Sequence, residues 1–277
     1  MAQIGKINNL RVVKIVSIGC YLDGGEQGEI LIPRRYVPEG TKPDDILEVF
    51  IYLDSEDRII ATTETPEIKL GEIASLKAVS VTSAGAFLDW GLTKDIFVPF
   101  KEQQQKMEVG KWYIVALYID HETNRLAASA KIDKFLDNTP PLYQVGEEVD
   151  LLIAKKTDLG YSAVVNNAHW GVLYENEVFR HLSNGKRIKG YIKKVREDDK
   201  IDLMLQKPGY DKVDDISKSI LDRLEKNNGV LRLTDKSNPE DIYDQLGISK
   251  KVFKKAIGSL YKERLITLEE DCIRLVE

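Results

Sequence analysis

The chain has 277 residues, 43% hydrophobic and 31% charged, with a net charge of −5; this is an ordinary globular composition, too long for one small core and suited to several domains. Two cysteines at opposite ends, Cys20 and Cys272, exclude a disulfide framework and a clustered structural zinc site, and the mild acidity leaves nucleic-acid contact to local basic patches. No apolar run nears the ~20 residues of a membrane span, and the start, Met1-Ala2-Gln3-Ile4-Gly5-Lys6, lacks a signal-peptide layout, so a cytoplasmic location without a membrane partner is expected.

The first segment carries Gly19-Cys20-Tyr21-Leu22, then Ile30-Leu31-Ile32 closed by Pro33, a turn at Pro43-Asp44, and Arg58 before Ile59-Ile60-Ala61-Thr62. The second repeats this plan with Gly85-Ala86-Phe87-Leu88, Ile96-Phe97-Val98 closed by Pro99, Gly110-Lys111, and Arg125 before Leu126-Ala127-Ala128-Ser129. The third has Gly160-Tyr161-Ser162-Ala163, Gly171-Val172-Leu173 closed by Tyr174, Gly185-Lys186, and Lys200 before Ile201-Asp202-Leu203-Met204. Counted from each glycine, the landmarks fall 14 residues on, 25 residues on, and 39, 40 and 40 residues on. The copies are spaced 66 and 75 residues apart, so insertions fall between units, as they do between repeated domains.

Each unit reads as five short strands. In the second they are expected at about Ile73 to Val81, Gly85 to Asp89, Asp95 to Pro99, Trp112 to Asp120 and Leu126 to Ala130, rich in Val, Ile, Tyr and Phe and bounded by Gly, Pro and Asp. Closure into a barrel would remove the exposed edges of so short a sheet, which points to the OB-fold. The expected architecture is three tandem five-stranded OB barrels, over residues 1–65, 66–138 and 139–208, followed by an α+β winged-helix domain over 209–277. The linkers, near residues 63–71, 136–143 and 206–214, are short and contain prolines, so limited domain motion is expected.

The order of a valine-rich strand, Gly85-Ala86-Phe87-Leu88-Asp89, Phe97-Val98-Pro99-Phe100, Val109-Gly110-Lys111 and Asp120 through Arg125-Leu126 to Ser129 resembles the S-one RNA-binding domain, a subclass of the OB-fold. Over its full length the chain resembles the conserved virulence factor B (CvfB) family, bacterial RNA-binding proteins with tandem S-one domains and a C-terminal winged helix. The resemblance implies that nucleic acid lies across the second and third strands, with bases stacked on aromatics and phosphates met by basic residues. It carries that role to Phe87, to Tyr21 in the first copy, to Tyr161 as a near match in the third, and to Arg58, Arg125 and Lys200. Pro33 and Pro99 stand where the family often has a histidine, a departure that removes a stacking group; Tyr174 keeps one, with His169 and Trp170 beside it. The alternative is that Phe87 and Tyr21 are core residues, that Trp170 caps a barrel and that Arg125 is a solvated turn residue.

From Phe179 to Arg196 there are seven basic residues and no acidic one. On a strand, Arg187, Lys189, Tyr191 and Lys193 share one face, which suits a phosphate backbone with stacked bases; the alternative is an edge strand guarded by lysines. The pattern then changes period. Ile216, Ile220, Leu221 and Leu224 form a helical stripe. Asn238-Pro239-Glu240-Asp241 is a helix start and Gly247 a stop. Ser249 caps a third helix whose buried face is expected to hold Val252, Phe253, Ala256, Ile257, Leu260 and Tyr261, ahead of a hairpin around Glu269-Glu270-Asp271. That helix is expected to expose Lys250, Lys251, Lys254 and Lys255 to a phosphate backbone, although the segment 211–277 is nearly neutral, with 13 basic and 14 acidic residues.

No phosphate-cradling loop, paired-His motif or Cys-Cys metal spacing is present. A non-enzymatic binding protein with no cofactor and no metal is therefore expected. Single-stranded RNA is the expected partner, duplex DNA through the winged helix is the rival, and protein-interaction barrels are a third reading.

Overall fold

A computed structural model describes residues 2–178, 181–206 and 213–276. The first sheet comprises β1 (Ile7–Val16), β2 (Gly19–Asp23), β3 (Glu29–Pro33), β4 (Ile46–Leu53) and β5 (Ile59–Thr62). The second comprises β6 (Ile73–Val81), β7 (Gly85–Asp89), β8 (Ile96–Pro99), β9 (Trp112–Asp120) and β10 (Arg125–Ser129), within a residue of expectation at every strand end. The third comprises β11 (Glu148–Thr157), β12 (Gly160–Val165), β13 (His169–Tyr174), β14 (Arg187–Val195) and β15 (Ile201–Met204).

The repeat landmarks are register positions. The residues 14 apart stand directly opposite each other across the hairpin of the second and third strands: Gly19 with Pro33, Gly85 with Pro99, and Gly160 with Tyr174. Glycine is needed because a Cβ there would lie 2.0, 2.3 and 2.1 Å from the carbonyl oxygens of Ile32, Val98 and Leu173 respectively, and Gly19 also has φ +153°. The second landmarks, Asp44, Gly110 and Gly185, are all left-handed, and each donates its N–H to the first strand of its sheet, at Val12, Ala78 and Ile153. Each first strand carries a β-bulge directly after that acceptor, and the added twist helps so short a sheet curl. The basic residues of the third landmark each follow a left-handed tip residue, Asp57, Asn124 or Asp199.

The three sheets share one strand order, but only the first and third close. Closure comes from parallel pairing of the third and fifth strands: Leu31 with Ile60 in the first sheet, and Gly171, Val172 and Leu173 with Ile201, Asp202 and Leu203 in the third. By repeat position Phe97 should meet Ala127, but β8 and β10 remain the two edges of an open sheet. Two of the three expected barrels are thus closed by strand pairing, and in the second sheet β8 and β10 lie side by side without it. β8 is the shortest of the three third strands. Its Phe97, where the other copies have Leu31 and Val172, lays its ring against the bare Cα of Gly85 and the ring of Phe87.

The chain divides into two compact units, Met1–Leu136 and Asp137–Glu277. In the first, β4 is apolar on both faces. Val49 and Ile51 fill the first barrel, whereas Phe50 and Tyr52 belong to the core of the second sheet. Trp90 meets both rings edge-on at 5.7 and 6.2 Å. The connection near 63–71 is packed rather than loose: Ile68 is buried, Glu67 N–H donates to Trp90, and Leu70 N–H donates to Gly5.

In the second unit, residues 137–143 lie along β13. His169 is buried there. Its Nε2 donates to the Thr139 carbonyl at 2.7 Å, and its Nδ1 lies at hydrogen-bond distance, 2.9 Å, from the Tyr143 hydroxyl. The winged helix consists of α1 (Val213–Lys226), β16 (Val230–Leu231), α2 (Pro239–Leu246), α3 (Lys250–Lys262), β17 (Ile266–Leu268) and β18 (Ile273–Leu275), with the three strands forming one small sheet. Asn238 and Ser249 cap α2 and α3 by accepting from Glu240 and Val252 N–H, and left-handed Gly247 ends α2. Ile216, Ile220, Leu224, Phe253, Ala256, Ile257 and Leu260 build its core. Tyr261, expected on the buried face, is exposed. Most of the linker near 206–214, and Arg180 of the basic run, lie outside the described residues.

Candidate nucleic-acid interface

Strand alternation decides which aromatics face outward. Tyr21 and Phe87 lie two residues after their glycines on the outer face, and both are half-buried. Lys14 Nζ sits 4.7 Å over the Tyr21 ring, and Phe97 lies 5.1 Å from Phe87, its register partner across the hairpin. Tyr161 lies only one residue after Gly160. That offset places it with Cys20 and Ala86 on the interior side, where it is 5% exposed and part of the third barrel's core. The expectation that Tyr161 presents a stacking face is therefore corrected. The outward residue of that strand is Ser162.

On β13 the alternation works in the other direction. Trp170, Val172 and Tyr174 face outward between buried His169, Gly171 and Leu173. The Tyr174 hydroxyl bonds to Asp202 at 3.1 Å and to Arg196, and Lys193 Nζ lies 5.9 Å over its ring. Asp202, paired with Arg196 at 2.8 Å, holds that guanidinium's pKa above its ordinary value. The third copy thus groups one half-buried ring with two cations on one outer face.

The basic strand β14 does present Arg187, Lys189, Tyr191 and Lys193 outward, with Gly190 and Ile192 inward. It is not free of counter-charge, because neighbouring elements supply acids that its own sequence lacks. Lys189 pairs with Asp150 across the sheet at 2.8 Å, the Tyr191 hydroxyl donates to Glu148 at 3.2 Å, and Lys193 pairs with Glu177. The Asp150 bond raises the pKa of Lys189. Such exposed pairs are screened by solvent and stabilise little, so a phosphate can displace them. The three tip residues are similarly held: Arg58 by Asp54 and Glu56, Arg125 by Asp57, and Lys200 by Asp198.

On α3, Lys251, Lys254 and Lys255 are exposed, with Lys254 3.4 Å from Asp235. Lys250 is half-buried and donates to the Ser237 carbonyl at 2.8 Å, which corrects its placement as an exposed cation. The wing tip is acidic, and its Glu269 pairs with Arg274.

Residues 4–64 and 70–131 match the family model described as "S1 domain", the S-one type, and residues 218–275 match the "CvfB-like winged helix domain". The chain thus carries S1 domains and a CvfB-like winged-helix domain, and it is similar over nearly its full length to proteins named Conserved virulence factor B. The relative named Conserved virulence factor B from Staphylococcus aureus (strain USA300) is 26% identical over 289 residues, covering 99% of this chain and 94% of that protein. A Bacillus subtilis protein, "Uncharacterized protein YitL", is 28% identical over 254 residues, covering 88% and 84%. A solved multidomain protein with nucleic acid binding domains from Streptococcus pneumoniae is 20% identical over 99% of this chain and 98% of that chain, with a TM-score of 0.42.

Some residues at the site were open to a reading of the sequence and others were not. Phe97 was legible: a 14-residue hairpin register that starts at Gly85 makes it the partner of Phe87. Lys14 was not: it is the cross-strand partner of Tyr21, and the bulge in β1 shifts the alternation that would have placed it there. Among the described residues no group of His, Cys, Asp or Glu could hold a metal, and no helix is long and apolar enough to cross a membrane.

Proposed function

We propose that the chain is a single-stranded RNA-binding regulatory protein, acting through its S-one-type sheets with the winged helix as an accessory contact, and that it is not an enzyme. The supporting observation is the outer face that recurs on the second and third strands. It holds Tyr21 under Lys14, Phe87 against Phe97, and Tyr174 with Trp170 beside Lys193 and Arg196. Half-buried rings flanked by cations suit unstacked bases and their phosphates, and every base offers a face to a ring. Two or three weak contacts on one chain add strongly, since each after the first is intramolecular. A regulatory effect on RNA stability or expression follows from binding without chemistry.

The test is titration of the full chain with labelled single-stranded RNA, single-stranded DNA and duplex DNA at several salt concentrations. Single strands, RNA foremost, are expected to bind tightest, with affinity falling as salt rises. Tighter binding to duplex DNA, abolished by Lys251→Gln with Lys255→Gln, would replace this reading with that of a winged-helix DNA regulator, for which exposed Lys251, Lys254 and Lys255 speak. Salt-independent absence of binding to all three would favour protein-interaction barrels.

A further inference from the structure

The outward positions of the fourth strand are used differently in the first and third copies. Six and eight residues after the left-handed turn at Gly185, the third copy has Tyr191 and Lys193, which face outward on the open basic strand. At the same distances after Asp44 the first copy has Phe50 and Tyr52, and both are buried. The second sheet covers them, and they join its core with Ile68, Leu88 and Trp90. A strand face that is open in one copy is therefore a seam in another.

Polar contacts fasten this seam at its margins. Lys94 Nζ donates to the Asp54 carbonyl at 2.7 Å and Trp90 Nε1 donates to the Lys94 carbonyl, so the loop after β7 clasps the end of β4. The Tyr36 hydroxyl lies 2.8 Å from the Thr93 hydroxyl, and Arg35 donates to that same oxygen at 3.3 Å. Leu70 N–H donates to the Gly5 carbonyl at 2.8 Å, and a Cβ on Gly5 would lie 2.8 Å from Leu70 and 2.9 Å from Leu126. Three stretches of the first copy, at Gly5, at Arg35-Tyr36 and at 50–54, are thus tied to the second. Linked domains move against each other by default, and a large apolar interface is what prevents it. Here the interface is aromatic at its centre, and the connection at 63–71 is itself packed, with Ile68 buried.

We infer that the first two copies hold a bound strand as one rigid body, so that the span between the base at Tyr21 and the base at Phe87 is fixed and strands are selected by that spacing. The inference rests on the proposed single-strand function and deepens it: the substrate class becomes strands that offer two unpaired stretches at a set separation. The physical reason lies in the cost of spanning. A second contact on the same chain acts at high effective concentration when the connecting strand reaches it, and at almost none when it does not. A hinged protein would shorten the span to suit a short strand, whereas a rigid one obliges the strand to reach. Tyr52, Trp90 and Lys94 are then positioning residues, which set the span by holding the two sheets together.

The experiment uses the full chain and pairs of uridine trimers joined by abasic riboses, from none to about ten, with affinities measured by fluorescence anisotropy. The expected result is a threshold: short spacers bind no better than a single trimer, affinity rises by about 10²-fold or more once the spacer reaches the second site, and longer spacers lose it slowly. The rise should vanish in Tyr21→Ala and in Phe87→Ala, which assigns it to these two copies; a rise that survives both overturns the assignment. In Tyr52→Ala combined with Lys94→Met, which loosens the seam, the threshold should move to shorter spacers while affinity for a single trimer stays as in wild type. A threshold that stays in place in that variant overturns the positioning role. A second measurement needs no destabilised variant. Cys20 and Cys272 are buried, so spin labels go to exposed positions through Glu39→Cys and Gln105→Cys. One narrow distance between the labels, unchanged by the best-binding ligand, is expected; a broad distribution, or a shift on binding, overturns the rigid body. Trimer pairs that bind alike at every spacer length, or never better than a single trimer, overturn the spacing rule and leave the single-strand reading intact. Absence of any trimer binding overturns both.

Discussion

The two tyrosines of the third barrel offer a sharp test of the alternation argument. Tyr161 is 5% exposed and packed in the core, and its hydroxyl only weakly accepts from Leu182 N–H, at 3.4 Å. Tyr161→Ala removes a buried ring and should lower stability by about 3–5 kcal/mol; Tyr161→Phe should cost no more than about 1 kcal/mol. Tyr174 stands half-buried on the outer face, with its hydroxyl on Asp202 and Arg196. Tyr174→Ala should change stability by about 1 kcal/mol and weaken single-strand affinity by about 1–3 kcal/mol, or 5- to 140-fold in Kd. Urea unfolding followed by tryptophan fluorescence, beside anisotropy titration of the folded protein, separates the two effects. A Tyr161→Ala variant that unfolds like wild type yet loses affinity would refute the assignment of faces.

Two further outcomes follow from the same geometry. Gly19→Ala meets the Ile32 carbonyl oxygen at 2.0 Å in a backbone conformation alanine resists, and should destabilise by at least about 2 kcal/mol. Gly28→Ala, at φ +71° and ψ −158° but with nothing within 4 Å, meets no clash and should cost only backbone strain of about 1–3 kcal/mol; thermal melts of the two variants compare them directly. Asp150→Asn releases Lys189 from its cross-strand partner and should tighten single-strand binding and steepen its salt dependence by about 0.7 in log-log slope; an unchanged slope would place Lys189 outside the interface.

Much of the fold could be read along the chain. The 14-residue spacing is a hairpin register and the 25-residue landmark is a turn clamped onto a bulge. Both are local hydrogen-bond patterns that leave a periodic trace. The winged helix was legible for the same reason, since Asn238, Gly247 and Ser249 act on groups within a few residues of themselves. The site was legible only where parity was respected: Phe87 and Tyr21 hold the outward position, while Tyr161, matched by residue type instead of by its distance from the glycine, went to the core.

What the sequence determined by itself is the set of strands, their order in each repeat and the faces their side chains occupy, because backbone pairing and alternation operate over short separations. Tertiary structure alone decided three things. It decided that the first and third sheets close by pairing their third and fifth strands. It placed β4 against the second sheet, so that Phe50 and Tyr52 join that sheet's core. It brought Glu148, Asp150 and Glu177 to a basic strand that has no acid of its own. Each depends on groups distant in sequence meeting at contact range, where packing volume and charge act on whatever lies nearby regardless of its position along the chain.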